Sequence, residues 1–389
     1  MAVDFNNTEI AYKHLSDKEL KKAFRLFKLL NNTALSNLGK SMTMFAFKLG
    51  LPITNIVKKT IFSAFVGGES IDESQDSINK LAEYGVETIL DYGVEAKNEE
   101  KHLDEIAQTL VRKIAYVKED PNANIASAKV TALSRDGLLE TVSLGKKLNQ
   151  HESAEWERVV ERFDMICAAA NDSGNSIYID AEESWMQNAI DDLVMQMSRK
   201  YNTERPVVFN TIQLYRHDKL AYLKQAHKQA LDGDFILAVK LVRGAYMEKE
   251  RKYAQSKGIE SVIHKDKAGT DEDYNKALVY CVEHIDSISF CVASHNEESN
   301  LMLGSLLDNR GIDRNHKHIL TSQLFGMGDF ITFNLAKAGF NASKYLPYGP
   351  VKELIPYLIR RAQENSSVDG QTTRELDLIR KEMRRRNLL

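Results

Sequence analysis

The sequence is short of the features that define several broad protein classes. Among 389 residues there are three cysteines, Cys167, Cys281 and Cys291. None stands in a CxxC spacing, and each lies in or beside an apolar run. That excludes a disulfide scaffold and leaves buried, reduced thiols in a cytosolic setting as the expectation. No apolar run is long enough to cross a bilayer, since Lys48 and Pro52 interrupt the best candidate. The opening MAVDFNNTEI lacks the basic and apolar regions of a signal peptide and is too acidic for an obvious transit peptide. A formal net charge of -3 gives no general nucleic-acid binder. There is no P-loop and no GxGxxG; the nearest approach, GMG at 326–328, is too little for a nicotinamide fingerprint. His316 and His318 have a metal-ligand spacing, but HKH ahead of an apolar run reads as a solvated turn, and no metal is expected.

What is present is a core and a rhythm. Apolar residues make up 43% of the chain, enough for one large domain with an appendage. The first 86 residues read as all helical. SDKE at 16–19 is a capping box, followed by Leu20, Ala23, Phe24, Phe27 and Leu30 at helical period. Apolar helical stretches come next around 33–49 and 53–65, and a second box, SIDE at 70–73, opens a helix ending by Gly85.

From 87 the texture changes to short β-branched runs, each followed by a longer amphipathic stretch. The runs are TILDYGVE (88–95), AKVTAL (128–133), SIYIDAE (176–182), PVVFNTIQL (206–214), ILAVKLVRG (236–244), SISFCVAS (287–294), KHILTSQL (317–324) and ASKYLPYG (342–349). Strand–helix alternation implies parallel strands with crossover helices, and eight units argue for an α/β fold of the closed (β/α)8, TIM-barrel type over 87–370. The tail, 371–389, is a basic helical end ending RKEMRRRNLL. Its charge suits an anionic membrane surface, and a plain solvated helix end fits it as well.

In such barrels the chemistry sits at the C-terminal ends of the strands. Polar residues gather at those ends here: Lys129, Asp180, Glu182, Gln213, Lys240, Arg243, Ser294, His295, Gln323 and Tyr345. A buried strand has little use for so many polar groups unless they meet a ligand. After the eighth run comes YLPYGPVKELIPYLIRRAQEN (345–365), in which Tyr357, Arg360, Arg361 and Glu364 share one helix face. Turned inward, the arginine pair is a fork for a carboxylate, and Tyr345, Tyr357 and Tyr246 can wall a small apolar ring. Two readings remain open on residues alone. One is a carboxylate-binding barrel with an additional cofactor; the other is a lyase with Lys129 or Lys240 as Schiff-base lysine.

KLVRGAYMEKER (240–251) and the 345–365 segment resemble the proline dehydrogenases, flavoenzymes of proline catabolism. SAKVTAL, YIDAEES, NTIQLY, ASHNEES and SQLFGMGD are similar to that family's other strand-end motifs in the same order, and FVGGESIDE (65–73) resembles its helical lead-in. The likeness runs from about residue 60 to the end. It implies a distorted (β/α)8 barrel that binds FAD, oxidises L-proline at C5 to Δ1-pyrroline-5-carboxylate, and passes electrons to a quinone. Arg360 and Arg361 would hold the carboxylate, with Glu364 on the same face and Tyr345, Tyr357 and Tyr246 at the ring. Lys129 and Asp180 would complete the polar wall, with Asp180 and Lys240 catalytic and Lys240 beside the flavin's reactive edge. Ala181, Gln213, Arg243, Gly244, Ala245, Ser294, His295 and Gln323 would bind FAD, and Glu69 would gate the site by pairing with Arg360. Hydroxyproline is the rival substrate, disfavoured by the bulk of Tyr345. The resemblance also implies a separate downstream pyrroline-5-carboxylate dehydrogenase. The place expected is the cytoplasm, with peripheral attachment at the inner face of the membrane.

Overall fold

The computed structural model describes residues 3–31, 54–93, 100–119, 122–123, 125–367 and 371–389, excluding the side chains of 117–119, 136, 362–367 and 371–372. Eight strands pair in chain order into a closed barrel. They are β1 Val86–Tyr92, β2 Ile125–Ala128, β3 Ser176–Ile179, β4 Val208–Gln213, β5 Leu237–Val242, β6 Ile288–Ala293, β7 Ile319–Leu324 and β8 Ala342–Tyr348. The chain packs as two compact units, 95–321 and a second made of 1–94 with 322–389.

Within 95–321, β4 is buried along its whole length, and β5 and β6 along all but their last residue. That is the pattern of parallel strands covered on both faces, and it explains why the runs are continuously apolar rather than alternating. The register places Thr211 of β4 opposite Lys240 of β5. Helices Glu100–Glu119, Gln150–Ser173 and Ser184–Tyr201 close one core with β2 to β4, built on Ile106, Leu110, Phe163, Ile166, Ile177, Ile190 and Val194. Helix Gln150–Ser173 begins with a full capping box, Asn149 with Glu152, and ends on Gly174 in the left-handed region at φ +80°. Cys167, Cys281 and Cys291 are buried free thiols, as expected.

Two readings need correction here. The second strand is IASA at 125–128, ahead of the predicted 128–133, and Val130–Ala132 is a 3-10 turn. The backbone leaves the sheet there because Thr131 gives both its N–H and its O–H to Glu182. His318 is buried rather than solvated, its Nδ1 donating to the Ile285 carbonyl at 2.7 Å. No group of three His, Cys, Asp or Glu side chains able to hold a metal ion occurs among the described residues.

In the other unit, the box at Ser16 and Glu19 is complete and opens helix Asp17–Leu30. The helical stretch 33–49 lies outside the described residues. The next, 54–65, is helical but contains a five-residue π-helical turn, Lys58–Phe62. Ser70 caps helix Ile71–Ala82, while the Glu73 carboxylate turns back to the Glu69 N–H at 3.1 Å, so the second box is only half formed. The preceding glycines extend the sheet: Gly67 donates to Pro347 O at 2.9 Å, and Gly68 O accepts from Gly349 N at 3.0 Å. β1 pairs with β8 over seven residues, from Val86↔Ala342 to Tyr92↔Tyr348.

The basic tail is docked. Glu382, fully buried on helix Gln371–Arg385, takes ion pairs from Arg385 and Arg386. Arg386 also donates to the carbonyls of Tyr12 and Leu15 at 2.8 and 2.7 Å, and Lys381 to that of Asn6 at 2.7 Å. Much of the charge that composition assigned to solvent or membrane is therefore spent on the N-terminal segment.

The GMG motif also has a structural role. Gly328 N-caps helix Asp329–Lys337 in the left-handed region, and Gly326 stands at φ +74° with its Cα against helix Ser63–Phe65. A Cβ at Gly326 would lie 1.8 Å from the Ala64 carbonyl oxygen. Gly326→Ala is therefore expected to cost at least about 2 kcal/mol, left-handed strain and clash together. Chemical denaturation of the variant beside the parent checks this; an unchanged midpoint would refute the close approach.

Candidate active site

The rim of unit 95–321 is built by strand ends that each deliver one polar side chain. β3 ends at Ile179, and the Asp180 N–H is held by Ala128 O at 2.9 Å, which points the acidic residue out of the sheet. Its carboxylate is shared by two ammonium groups. Lys240, buried on β5, donates to Oδ1, and Lys129 approaches Oδ2 at 3.5 Å. The Lys240 ammonium also stands over the Tyr178 ring at 5.8 Å. Two ammonium groups thus share one carboxylate in a mostly buried corner.

Glu182, two residues on, was legible as a strand-end acid but received no role. It is buried, and its Oε2 and Oε1 accept from Thr131 Oγ1 and N at 2.6 and 3.1 Å. Burial pushes its carboxyl up to about 7, against the opposing pull of the Thr131 bonds and Lys129.

The next strand ends carry a different donor set. Gln213 closes β4; it is 2% exposed, and its Oε1 accepts no hydrogen bond among the described residues. An orphaned buried acceptor is the mark of a site that a ligand completes. Arg243, just past β5, is braced on three sides, donating to Asp271 at 2.7 Å, Ser294 Oγ at 2.7 Å and Ser299 Oγ at 3.0 Å. Its guanidinium lies 4.3 Å from the Tyr274 ring centroid. Gly244 follows at φ +135°, and a Cβ there would fall 2.4 Å from the Tyr215 ring, so the glycine is required. Ala245 is exposed, Tyr246 and His295 are half-buried, and Ala181 and Ser294 are buried. An unfilled acceptor, a fixed guanidinium and a glycine backbone fit a group with a hydrogen-bonding edge and phosphates, as FAD has.

Unit 1–94 with 322–389 carries the other predicted residues. Gln323 is buried on β7 and accepts from Thr332 Oγ1 at 2.7 Å, while Tyr345 is half-buried on β8. On helix Ile355–Ser367, Tyr357 and Arg361 are buried one turn apart, the guanidinium 5.1 Å from the tyrosine ring centroid. Tyr357 and Leu358 pack with Phe62, Phe65, Met327 and Val351. Arg361 therefore lies on the face of the helix that joins the core, and Arg360 beside it is half-buried. The Glu364 side chain is outside the described residues. Glu69, expected against Arg360, is held by Lys58 at 2.5 Å and accepts from the Val351 N–H at 3.3 Å.

A closed (β/α)8 barrel with polar side chains gathered at its strand ends defines an enzyme scaffold. The family model for proline dehydrogenase matches residues 74–374, and the chain belongs to that flavin-dependent family of oxidoreductases. It is 33% identical to the carbapenem antibiotics biosynthesis protein CarD of Pectobacterium carotovorum subsp. carotovorum, over 83% of this chain and 84% of that one. It is 31% identical to proline dehydrogenase 1, mitochondrial, of Dictyostelium discoideum, over 98% of this chain and 74% of the relative. A Xenopus laevis hydroxyproline dehydrogenase is 30% identical over 85% of this chain and 78% of its own length. Among solved structures, proline utilization A from Bdellovibrio bacteriovorus, inactivated by N-propargylglycine, superposes with a TM-score of 0.74 at 20% identity. That match takes in 93% of this chain but only 38% of the larger one, and shows the fold alone.

The raised Glu182 carboxyl has a testable sign. Its folded value, about 7, exceeds the ordinary 4.5, so the folded protein holds the proton more tightly than the unfolded chain. Stability is then lost as pH rises from about 4.5 through 7, by at most about 3 kcal/mol. Glu182→Gln keeps an acceptor for the Thr131 N–H, and its amide N–H donates to the Thr131 hydroxyl in place of accepting from it, without the charge. It is expected to melt with the parent at pH 5 and above it at pH 8; parallel melting curves at both values would refute the buried-acid assignment.

Proposed function

We propose that the protein oxidises L-proline to Δ1-pyrroline-5-carboxylate, using FAD and passing the electrons to a quinone. The observation that carries this reading is Arg361, buried beside Tyr357 on the helix after β8. A guanidinium set in an aromatic, apolar wall suits a small amino acid with a carboxylate and an aliphatic ring. FAD, when bound, supplies the hydride acceptor at its N5.

In this reading Arg360 and Arg361 take the substrate carboxylate, Glu364 shares their helix face as a substrate-binding residue, and Tyr345, Tyr357 and Tyr246 enclose the pyrrolidine ring. Asp180, Lys129 and Lys240 form the charged wall, where Asp180 keeps the two ammonium groups in place. The substrate nitrogen must be neutral, so that its lone pair supports the loss of hydride from C5. Fixing the carboxylate holds C5 in one orientation, which contributes more to rate than to affinity. Gln213, Arg243, Gly244, Ala245, Ala181, Ser294, His295 and Gln323 hold the FAD, with Arg243 toward its phosphates. A separate enzyme would then oxidise the product. We place the protein in the cytoplasm, peripheral at the inner membrane face where quinone is reached. No helix among the described residues is long and apolar enough to cross a membrane.

An anaerobic visible spectrum of the protein with FAD, before and after L-proline, tests the whole reading. Bleaching of the oxidised flavin bands is expected; bleaching by hydroxyproline alone would transfer the assignment to that substrate. Arg361→Met is expected to retain flavin and raise the KM for proline by about 10- to 100-fold, the worth of one charge-assisted hydrogen-bonded pair. Unchanged kinetics would refute the inward arginine. Tyr345→Ser is expected to gain activity on hydroxyproline, and steady-state assays on both substrates check it.

A further inference from the structure

Helix Met247–Lys257 follows Tyr246, and one residue fastens both of its attachments. The Glu250 N–H closes the first turn on the Tyr246 carbonyl at 2.9 Å. The Glu250 side chain, 2% exposed, reaches out of its own helix to Ser184, accepting from its N–H and its O–H, each at 2.6 Å. Ser184 is the first residue of helix Ser184–Tyr201, and Glu183 at the N-cap makes no capping bond with its side chain. Glu250 thus supplies, from another helix, the cap that the local sequence withholds. A carboxylate is the group best matched to that helix end.

Two neighbours reinforce the contact. Lys249 pairs with Glu183 at 2.6 Å, and Tyr253 stacks on Trp185, with centroids 4.3 Å apart and planes 26° from parallel. All three anchors, Glu183 to Trp185, follow directly on Asp180, Ala181 and Glu182. Tyr215, two residues past β4, packs against Gly244 at the start of the β5 loop. The helix is therefore a strap from the β5 loop to the β3 loop.

We propose that Glu250 is a positioning residue: by capping helix Ser184–Tyr201 it fixes the strap, and with it Tyr246, relative to Asp180. This rests on the reading of Tyr246 as a wall of the substrate ring. A buried carboxylate that merely stabilised the fold would act on melting temperature and flavin content together. A positioning role acts instead on the binding of the small substrate.

The experiment uses the full chain with FAD, in a Trp156→Phe background that leaves Trp185 the single tryptophan. Near-UV circular dichroism and emission of Trp185 are recorded without substrate, and KM and kcat are then measured with L-proline. Glu250→Ala is expected to alter the Trp185 signal and to raise KM at least about tenfold, with kcat within about twofold and flavin content unchanged. Glu250→Gln, which keeps an acceptor for the Ser184 N–H, is expected to recover most of both. An unchanged Trp185 signal in Glu250→Ala overturns the strap. An altered signal with unchanged KM, or an equal loss of kcat, flavin and thermal stability, overturns the positioning role. If L-proline does not reduce the flavin of the unsubstituted protein, the substrate reading fails instead, and the Trp185 signal alone decides the strap.

Discussion

A sheet of parallel strands has two edges unless it closes, and closure is the constraint on which the rest of this structure depends. Pairing β1 with β8 removes both edges and satisfies the backbone of every strand through its neighbours. It also surrounds the strands, one face filled by side chains and the other covered by helices, so both faces must be apolar. Polar groups meet a ligand at the strand ends and the loops beyond them, while those inside strands, such as Asn210 and Lys344, are paired within the fold. At the candidate site of the 95–321 unit, Asp180, Glu182 and Arg243 lie past their strands. Lys240 lies within β5, and its charge is met by a carboxylate from β3's end.

Charge placed at such a rim has to be compensated locally. Asp180 takes two lysines, Arg243 an aspartate and two hydroxyls, and Glu182 a threonine's two donors. Each arrangement fixes a side chain whose stem is already held by the sheet, so the functional groups are ordered before any ligand arrives. Removing one partner would leave the other buried and unmatched, which costs more than the pair itself contributes. The groups therefore have to be considered as sets rather than as separate ligands.

Much of this was legible in the sequence, for physical reasons that also explain what was not. Buried parallel strands give continuous β-branched runs, so eight could be counted and seven fell in place to within a few residues. The exception, β2, is only four residues long, and its end is set by Glu182, a partner 51 residues away that no local pattern contains. The rim residues were found because polar groups at the ends of apolar runs stand out. The strap was missed since Glu250 sits in a charged stretch, MEKER, that reads as a solvated face; only the fold shows that one of its acids is buried. The partners of the basic tail were illegible for a related reason, because composition records charge but not the carbonyls and carboxylates that meet it. The close approach of Gly326 to Ala64 was illegible too, because it depends on a helix more than 250 residues earlier.

One packing unit is assembled from both ends of the chain, residues 1–94 and 322–389. During synthesis the first of these segments emerges early, and of the two barrel neighbours of β1 only β2 follows soon. Val86 cannot meet Ala342 until more than 250 further residues have been made, while 95–321 is complete and contiguous well before. In that interval the β8-facing side of β1, VETILDY, is an open sheet edge in a crowded cell. Yield of the active protein should thus be governed less by final stability than by what shields β1 while the ribosome finishes.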